Sequence, residues 1–367
     1  MKFRCERDVL AGAIGAAARA VSGRTSSRPD LANGVHLALT GDRLVCTGTD
    51  LELAIEWTEV VSGERDGVAV LPARLTGDIL RALDAAAVEV EVTGNEARIT
   101  ANRSHFEVVT YGAESFPSFA ATPAPAVTLQ ADAFAEALRQ VVRAASTDES
   151  RQALTGVLLT AEEHGLRMVA TDSYRLALRD LAGTTVLAEG QRVLVPARAL
   201  TELVRLLGST GELTLRLGER EATFEVGNAR LSTRLIEPEF PNYRQLIPSS
   251  YPNRLTVGRE PLLDAIRRVK LLARESTSSP IRLHLSGDGV ELVARTQDLG
   301  QASEMVDAKY EGTDMVVAFN PDYLADGVEA TTGDEVVLET LDALKPAVLR
   351  ATEGGEFLYL LMPVRVS

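Results

Sequence analysis

The chain has 367 residues, of which 45% are hydrophobic, and a formal net charge of −14 at pH 7. Its length is sufficient for more than one packed core. Its apolar runs are far shorter than a membrane span and Met1–Arg7 has no apolar signal core, so the sequence predicts a cytoplasmic globular protein. The acidic balance taken alone argues against a nucleic-acid binder, unless the charges are segregated along the chain.

The cysteines and histidines do not favour a disulfide or a metal site. Cys5 and Cys46 lie in separate strand-like runs of a chain without a secretion signal, which predicts two buried thiols. The four histidines are scattered, without the close spacing of metal ligands. We expect neither a metal nor another cofactor.

Each third of the chain begins with a short strand followed by an amphipathic helix. Apolar residues recur at steps of three and four over Arg7–Val21, Ala131–Ala145 and Arg259–Arg274. Alternating strands follow, such as Val35–Leu39, which turns into a second run at Leu44–Trp57. Because the apolar residues alternate along these strands, we expect a sheet with one buried face.

A second helix follows in each third, with a proline at or near its first turn, where the missing N–H costs little. The predicted ranges are Pro72–Leu83, Pro196–Leu207 and Pro321–Glu329. Further strands are predicted after each helix, at Val88–Thr93, Glu212–Leu217 and Glu335–Thr340.

Two phrases repeat along the chain with the same period. A Thr-Asp or Thr-Gln step ends at positions 50, 172 and 297, and the phrase Val70–Leu75 returns as Leu194–Ala199 and, more loosely, as Ala318–Tyr323. A period of about 120 residues indicates three copies of one module. With Pro-rich joints as boundaries, we predict modules at 1–121, 122–250 and 251–367, each an α+β unit with two helices on antiparallel sheet.

Charge is distributed unequally between the predicted helices and the remainder of the chain. The six predicted helices sum to +3, so the remainder of the chain carries −17, although the sixth helix is itself acidic. Five helices therefore form a mildly basic set that can meet phosphates without reading bases. For any single arginine, a solvated helix face is the simpler interpretation.

Several motifs together resemble the bacterial DNA polymerase III beta subunit, the sliding clamp. They are the opening Met1-Lys2-Phe3, Thr171–Leu176, Phe240–Tyr243 and Tyr359–Val366, and the resemblance covers essentially the whole chain. It implies the DNA-clamp fold, closed as a head-to-tail homodimeric ring with helices lining the hole, through which duplex DNA passes without sequence specificity. The candidates for approaching DNA are Arg24, Arg28, Arg74, Arg139, Arg143, Arg151, Arg198, Arg267, Arg268 and Lys270.

Ring closure is implied to pair an edge strand at Arg103–Val109 with one at Gln301–Val306 of the other subunit. Pairing of this kind removes exposed sheet edges. The residues implied at this interface are Arg103, Phe106, Val108, Leu271, Leu272, Asp298 and Glu304, with Arg103 meeting Glu304 or Asp298. The alternative that Phe106 is a core residue stays open.

The resemblance also implies a hydrophobic groove between the second and third modules. In the family this groove receives short extended peptides from polymerases, the clamp loader and repair enzymes. The corresponding residues are Leu154, Thr171, Ser173, Tyr174, Arg175, Leu176, Pro241, Gln245, Leu246, Asn320, Tyr323, Leu344, Pro346, Leu360, Met362, Pro363, Val364 and Arg365. Aliphatic walls with Met suit varied peptide anchors, and Arg175, Asn320 and Arg365 are expected to supply polar contacts. Leu176 and Leu360 also fit simple core positions.

Three alternatives remain open from the sequence: a diverged second-copy clamp with altered groove or inhibitor preference, a metal-dependent enzyme acting on nucleic acid, and a triplicated structural module. The enzyme needs convergent carboxylates or a nucleophile with its base, and no such group repeats in the sequence. Asp50 and Asp172 follow threonine in strand-rich segments, which favours a turn or hydrogen-bonding role. We therefore predict a non-enzymatic protein.

Overall fold

The computed structural model describes residues 1–21, 33–84, 86–114, 116–117, 119, 122–163, 165–208, 211–237, 239–248, 250–273, 280–296 and 299–365. The chain forms two compact units. Unit 1 comprises Met1–Asp132 and Ala199–Leu235, and unit 2 comprises Ala133–Arg198 and Ile236–Ser367. The middle predicted module contributes to both units, and the module boundaries remain a prediction from the sequence period.

All six predicted helices are present. They are α1 (Arg7–Ala18), α2 (Ala73–Ala82), α3 (Ala131–Val141), α4 (Ala197–Leu206), α5 (Arg259–Ala273) and α6 (Pro321–Ala330). The third is shorter than predicted because Val142–Ala144 tightens into a 3₁₀ turn. In the second helix of each predicted module, proline lies just before the helix at Pro72 and Pro196 and in the first turn at Pro321, as its missing N–H allows.

The strands are short and follow one another closely. They are β1 (Lys2–Glu6), β2 (Gly34–Thr40), β3 (Arg43–Thr49), β4 (Leu53–Val60), β5 (Ser62–Arg65), β6 (Gly67–Pro72), β7 (Ala87–Thr93), β8 (Glu96–Ala101), β9 (Ser104–Val109), β10 (Ala126–Gln130), β11 (Gly156–Glu162), β12 (Gly165–Thr171), β13 (Arg175–Ala182), β14 (Arg192–Pro196), β15 (Glu212–Leu217), β16 (Glu221–Val226), β17 (Ala229–Arg234), β18 (Asn253–Gly258), β19 (Ile281–Ser286), β20 (Gly289–Thr296), β21 (Gly300–Val306), β22 (Ala308–Glu311), β23 (Met315–Phe319), β24 (Glu335–Thr340), β25 (Ala347–Ala351) and β26 (Phe357–Leu361). The run Leu44–Trp57, expected as one strand, is divided between β3 and β4 by a turn at residues 50–52.

Unit 1 contains a five-stranded sheet, in the order β5-β1-β7-β8-β9, and an eight-stranded sheet, in the order β10-β15-β16-β17-β4-β3-β2-β6. The pair β17–β4 joins the two sequence segments of the unit, with Leu231 opposite Ile55. Helices α1 and α2 pack together, and α1 covers β3 and β4. The core of the unit lies beneath these helices.

Unit 2 contains a nine-stranded sheet, in the order β14-β11-β12-β13-β26-β25-β24-β18-β22, and a four-stranded sheet, in the order β21-β20-β19-β23. Here β13 pairs with β26, so that Arg175 lies opposite Leu361 and Leu176 opposite Leu360. Helices α5 and α6 pack together, and α5 covers β20 and β21. Each unit is thus an α+β assembly whose main sheet is completed by a strand from a distant part of the sequence.

Both cysteines are free thiols, in agreement with the prediction that they form no disulfide. Cys46 is fully buried and burial raises the pKa of its thiol, whereas Cys5 is only half-buried, with a pKa raised by burial to about 11. The expectation of two buried thiols is therefore right for Cys46 and only partly right for Cys5.

None of the helices in the described residues has the length and apolar character needed to cross a membrane.

Candidate functional site

A tight turn connects β12 to β13 in unit 2. Asp172 Oδ1 accepts hydrogen bonds from the backbone N–H groups of Tyr174 and Arg175, at 2.9 Å each. Thr171 Oγ1 donates to the carbonyl of Arg175 at 2.6 Å, and Ser173 has a φ of 80°, in the left-handed region. The turn presents Tyr174 outward with 59% of the residue exposed. Asp172 is a hydrogen-bonding turn residue, as the sequence predicts.

Arg175 lies beneath this turn, with only 10% of its side chain exposed. Its guanidinium donates to Asp172 Oδ2 at 3.1 Å, to Asp326 Oδ2 at 2.5 Å and to the carbonyl of Arg143 at 2.5 Å. Burial lowers the pKa of Arg175, but the interactions with Tyr359 and Asp326 outweigh it and raise the pKa above its ordinary value. The expected polar contact at the groove edge is thus wrong for Arg175, because its charge is satisfied inside the chain.

Two tyrosines form an aromatic wall above Arg175. The rings of Tyr174 and Tyr323 stack with centroids 6.4 Å apart, and Arg175 Cζ lies 4.3 Å from the centroid of Tyr323. Asn320 caps α6, since its Oδ1 accepts from the N–H groups of Asp322 and Tyr323 at 2.9 and 3.2 Å. Asn320 therefore positions Tyr323 through the helix start.

The segment after β26 runs along the same site. The Met362 N–H donates to the carbonyl of Tyr174 at 2.9 Å, and the Val364 N–H donates to the carbonyl of Ala318 at 2.7 Å. These bonds hold the backbone while Met362 remains 39% exposed. Val364 and Arg365 are also exposed, and Pro363 is half-buried.

The strand register brings a further loop to this end of the sheet. Leu361 pairs with Arg175 on one side and with Ala347 on the other. The loop between β24 and β25 therefore leaves the sheet where the turn and Met362 lie, and it exposes Leu341 and Leu344, with Pro346 half-buried. Sequence reasoning missed Leu341, although a leucine in a polar loop was a usable signal.

The floor of the site is a compact apolar cluster. Leu176, Leu360 and Tyr243 are buried in it, together with Phe240. Thr171 is buried as well, and its hydroxyl is satisfied by the hydrogen bond to the Arg175 carbonyl. Burial of Leu176 and Leu360 confirms the interpretation of both as core residues. The remaining candidates are exposed at Pro241, Gln245 and Leu246 and half-buried at Leu154.

Most of the described candidates for DNA contact form ion pairs within the chain. Arg74, in unit 1, is almost fully exposed and lies 4.0 Å from Asp78, and Arg139, in unit 2, pairs with Glu136 at 3.1 Å. Arg198 is exposed. Arg24 and Arg28 lie outside the described residues.

Arg151 holds the turn of unit 2 in place. Its guanidinium pairs with Asp148 at 3.1 Å and donates to the carbonyl of Asp172, also at 3.1 Å. Arg151 is thus engaged within its own chain, whereas the resemblance implies that it approaches DNA.

Helix α6 supplies acids to the basic residues around it, which explains its negative charge. Arg143 and Arg267 both pair with Glu329, and Lys270 pairs with Asp322. Asp326 receives both Arg143, at 3.7 Å, and Arg175. Sequence reasoning missed these acids, although their spacing of three and four residues places them on one helix face.

The implied interface strands are both free edges of their sheets among the described residues, β9 in unit 1 and β21 in unit 2. Val109 and Met305 are exposed on them, and Leu271 of α5 is exposed as well, while Leu272 is half-buried. Val108 is only 4% exposed and Phe106 packs on the core of unit 1, which supports the core interpretation of Phe106 and extends it to Val108.

Charge at these edges differs from the expectation. Glu304 is bound by Arg268 of the same chain, with Nε to Oε2 at 2.9 Å, and this hydrogen bond lowers the pKa of Glu304. Arg103 is exposed, and Asp298 lies outside the described residues.

Comparison with known proteins gives one consistent family. Models of the DNA polymerase III beta subunit match at 1–120 (N-terminal domain), 128–242 (central domain) and 244–365 (C-terminal domain). The beta sliding clamp of Streptomyces coelicolor is 34% identical over 379 residues, covering 100% of both chains.

Solved structures agree. The DNA polymerase sliding clamp of Bacillus subtilis superimposes with a TM-score of 0.90 at 29% identity, covering 100% of each chain. The DnaN sliding clamp of Bartonella birtlesii bound to griselimycin gives a TM-score of 0.91 at 28% identity, again over 100% of each chain.

Proposed function

The chain belongs to the DNA polymerase III beta subunit family, the bacterial beta sliding clamps, and from this premise we propose which of its residues perform the family's work. It is a processivity factor and not an enzyme. Clamps of this kind encircle duplex DNA as a homodimeric ring and tether the replicative polymerase, the clamp loader and repair proteins through a groove. We also place the protein in the cytoplasm, where bacterial chromosomal DNA is found.

We assign the partner groove to the end of the main sheet of unit 2. One observation supports this most strongly: the turn 171–175, the segment 362–365 and the loop 341–346 meet at neighbouring strand ends and expose apolar side chains there. Exposed apolar side chains on a fixed backbone suit the anchors of an extended peptide. Tyr174, Leu246, Leu344, Met362 and Val364 are the proposed contacts, and Arg175 and Asn320 hold the walls in place. Griselimycin, bound by the Bartonella clamp, is a suitable probe of this surface.

The groove assignment predicts the effect of the double variant Tyr174→Ala with Met362→Ala. Both residues are exposed, so the fold is retained, and we expect the affinity for the replicative polymerase of the same organism to fall by about 1–3 kcal/mol. Isothermal titration measures this loss. The matched control is Leu51→Ala, an exposed residue of unit 1. An unchanged affinity in the double variant rejects the assignment.

For DNA, we propose that exposed helix residues provide sparse phosphate contacts: Arg74, Arg139, Arg143, Arg198 and Arg267. Sequence-independent attraction of this kind permits sliding. Arg24 and Arg28 remain proposals from the family resemblance. The side chains of Arg151 and Lys270 are less exposed, at 38% and 13%, and Arg268 donates three hydrogen bonds to Glu304, so we propose a structural role for these three residues.

For ring closure, we propose that β9 of one subunit pairs with β21 of the other. Both are free edges among the described residues, and Val109, Met305 and Leu271 offer apolar contact. Glu304 is already paired with Arg268 of its own chain, so we assign it no ion pair across the closure.

Small-angle X-ray scattering with in-line mass determination at micromolar concentration tests the ring. We expect the mass of two subunits and a scattering curve that requires a central hole. A compact monomer contradicts the proposed closure.

A further inference from the structure

The proposed DNA-facing surface and the proposed groove share one carboxylate in unit 2. Asp326 of α6 lies between Arg143, 3.7 Å from its Oδ1, and Arg175, 2.5 Å from its Oδ2. Arg143 is half exposed, whereas the Arg175 side chain is nearly buried. A single acid therefore contacts one arginine open to solvent and one arginine beneath the groove.

A second contact strengthens this link. Arg175 donates from Nη2 to the backbone carbonyl of Arg143 at 2.5 Å. Arg175 is thus fastened to Arg143 both through Asp326 and through the main chain of the 3₁₀ turn Val142–Ala144. A displacement at Arg143 reaches the Arg175 guanidinium within two contacts.

On its other side, Arg175 supports the aromatic wall of the groove. Its Cζ lies 4.3 Å from the centroid of the Tyr323 ring, and Tyr323 stacks on Tyr174. Nη1 also lies 3.3 Å from the Tyr359 hydroxyl, which donates to the carbonyl of Tyr323 at 2.9 Å. The position of Tyr323 therefore depends on the position of Arg175.

The contacts of Arg143, which lie at the solvent-exposed end of this series, are weak enough to be exchanged. Arg143 makes partly exposed ion pairs with Asp326 and Glu329, and pairs open to solvent contribute little to stability. A DNA phosphate accepts the same guanidinium through charge-assisted hydrogen bonds. Arg143 pairs more closely with Glu329 than with Asp326, and when Arg143 turns to phosphate Glu329 keeps Arg267 and Asp326 keeps Arg175. Of these two acids, Asp326 is the one that contacts the arginine beneath the groove.

We infer that Asp326 is a positioning residue that couples DNA contact at Arg143 to the Tyr174–Tyr323 wall of the partner groove. The inference rests on the proposed function, since it needs DNA near Arg143 and a partner site at the tyrosines. It has two arrangements: Asp326 shared by both arginines without DNA, and Asp326 held by Arg175 alone when phosphate engages Arg143. Coupling between two sites requires a bistable element of this kind, which both ligands bias.

The test uses the full-length protein carrying 3-fluorotyrosine at position 323, with a second preparation labelled at position 251 as the reference. ¹⁹F NMR spectra are recorded with and without a linear DNA duplex, and binding of the duplex is followed separately by fluorescence anisotropy. We expect the duplex to displace the resonance at position 323 and to leave position 251 unchanged. In Arg143→Gln and in Asp326→Asn the displacement at 323 is lost.

Arg139→Gln is the matched control, because Arg139 is an exposed arginine proposed to face DNA that pairs with Glu136 and not with Asp326. It should weaken duplex binding by about as much as Arg143→Gln while keeping the displacement at saturating DNA. A purely structural role of Asp326 predicts the same DNA response in Asp326→Asn as in the wild type, and that result overturns the inference.

The remaining outcomes distinguish a failure of the coupling from a failure of the proposed DNA contacts. Duplex binding without any displacement at 323 overturns the coupling and leaves the clamp function standing. Absence of duplex binding by anisotropy contradicts the proposed DNA contacts themselves, and the coupling falls with them.

Discussion

The two units contain the same turn with different surfaces. In unit 1, Asp50 Oδ1 accepts from the N–H groups of Glu52 and Leu53, at 3.1 and 2.9 Å, as Asp172 does for Tyr174 and Arg175 in unit 2. Thr49 donates to the carbonyl of Leu53 as Thr171 donates to that of Arg175. The third residue is left-handed in both, with φ of 79° at Leu51 and 80° at Ser173.

The neighbouring strand completes the correspondence. In unit 1 the Arg234 N–H donates to the carbonyl of Glu52 at 3.0 Å, and in unit 2 the Met362 N–H donates to the carbonyl of Tyr174 at 2.9 Å. Equivalent backbone positions thus carry Glu and Arg in unit 1 but Tyr and Met in unit 2. The comparison shows that the repeat supplies the same scaffold in both units. Under the proposed assignment, substitutions at a few exposed positions make the copy in unit 2 a peptide site.

The largest difference between the two units is expected at the fifth residue of the turn, which is Leu53 in unit 1 and Arg175 in unit 2. Arg175→Leu gives unit 2 the residue that unit 1 has at Leu53. Asp172 and the Tyr359 hydroxyl then lose their guanidinium partner, so we expect the free energy of unfolding to fall by about 3 kcal/mol and the affinity for the polymerase to fall with it. Denaturant unfolding and titration measure the two effects.

Leu53→Ala is the control for that variant. Leu53 is buried, so its truncation leaves a cavity that costs about 2–4 kcal/mol of stability in unit 1. Polymerase affinity should stay at the wild-type value. If Arg175→Leu unfolds at the wild-type denaturant concentration, the proposed support beneath the groove is wrong.

A smaller difference is expected between the two turn carboxylates. Asp50→Ala and Asp172→Ala each remove the acceptor of two backbone N–H groups, which costs about 1 kcal/mol. Asp172→Ala should cost about 1 kcal/mol more, since Asp172 is buried whereas Asp50 is half-buried, and burial makes the loss of a hydrogen-bond acceptor more costly. Equal losses in chemical denaturation contradict this distinction.

The smallest expected effects are alike in both units. Leu51→Gly and Ser173→Gly place glycine where φ is near +80°, and relief of the left-handed strain outweighs the added freedom of the unfolded chain. We expect each variant to gain up to about 1 kcal/mol in thermal or denaturant unfolding. A gain in only one unit shows that the two turns are not under equal strain.

Local features of this fold are predictable from the sequence. Helical spacing locates α1 and α5 to within a few residues, and the Thr-Asp repeat marks the positions of the two turns. Leu176 and Leu360 are recognisable as core residues, since each lies in a continuous apolar run, Leu176–Leu178 and Phe357–Leu361.

Partners distant in sequence are not predictable in this way. The acid that holds Arg175 lies 151 residues away at Asp326, on a helix whose charge suggests no role. Similarly, the family resemblance implies that Val108 lies at the subunit interface, whereas its side chain is buried in the core of unit 1. The partner of Arg175 and the burial of Val108 both depend on tertiary packing. Tertiary packing brings together residues whose separation in the sequence follows no recognisable pattern.

The central claim is that the turn of unit 2, and not its equivalent in unit 1, forms the partner groove. A photo-crosslinking residue, p-benzoylphenylalanine, at position 174 or position 52 tests this directly, because both positions are exposed on the same backbone turn. With the replicative polymerase present, the account predicts a covalent adduct from position 174 and none from position 52. Adducts of equal yield from both positions, or from position 52 alone, contradict it.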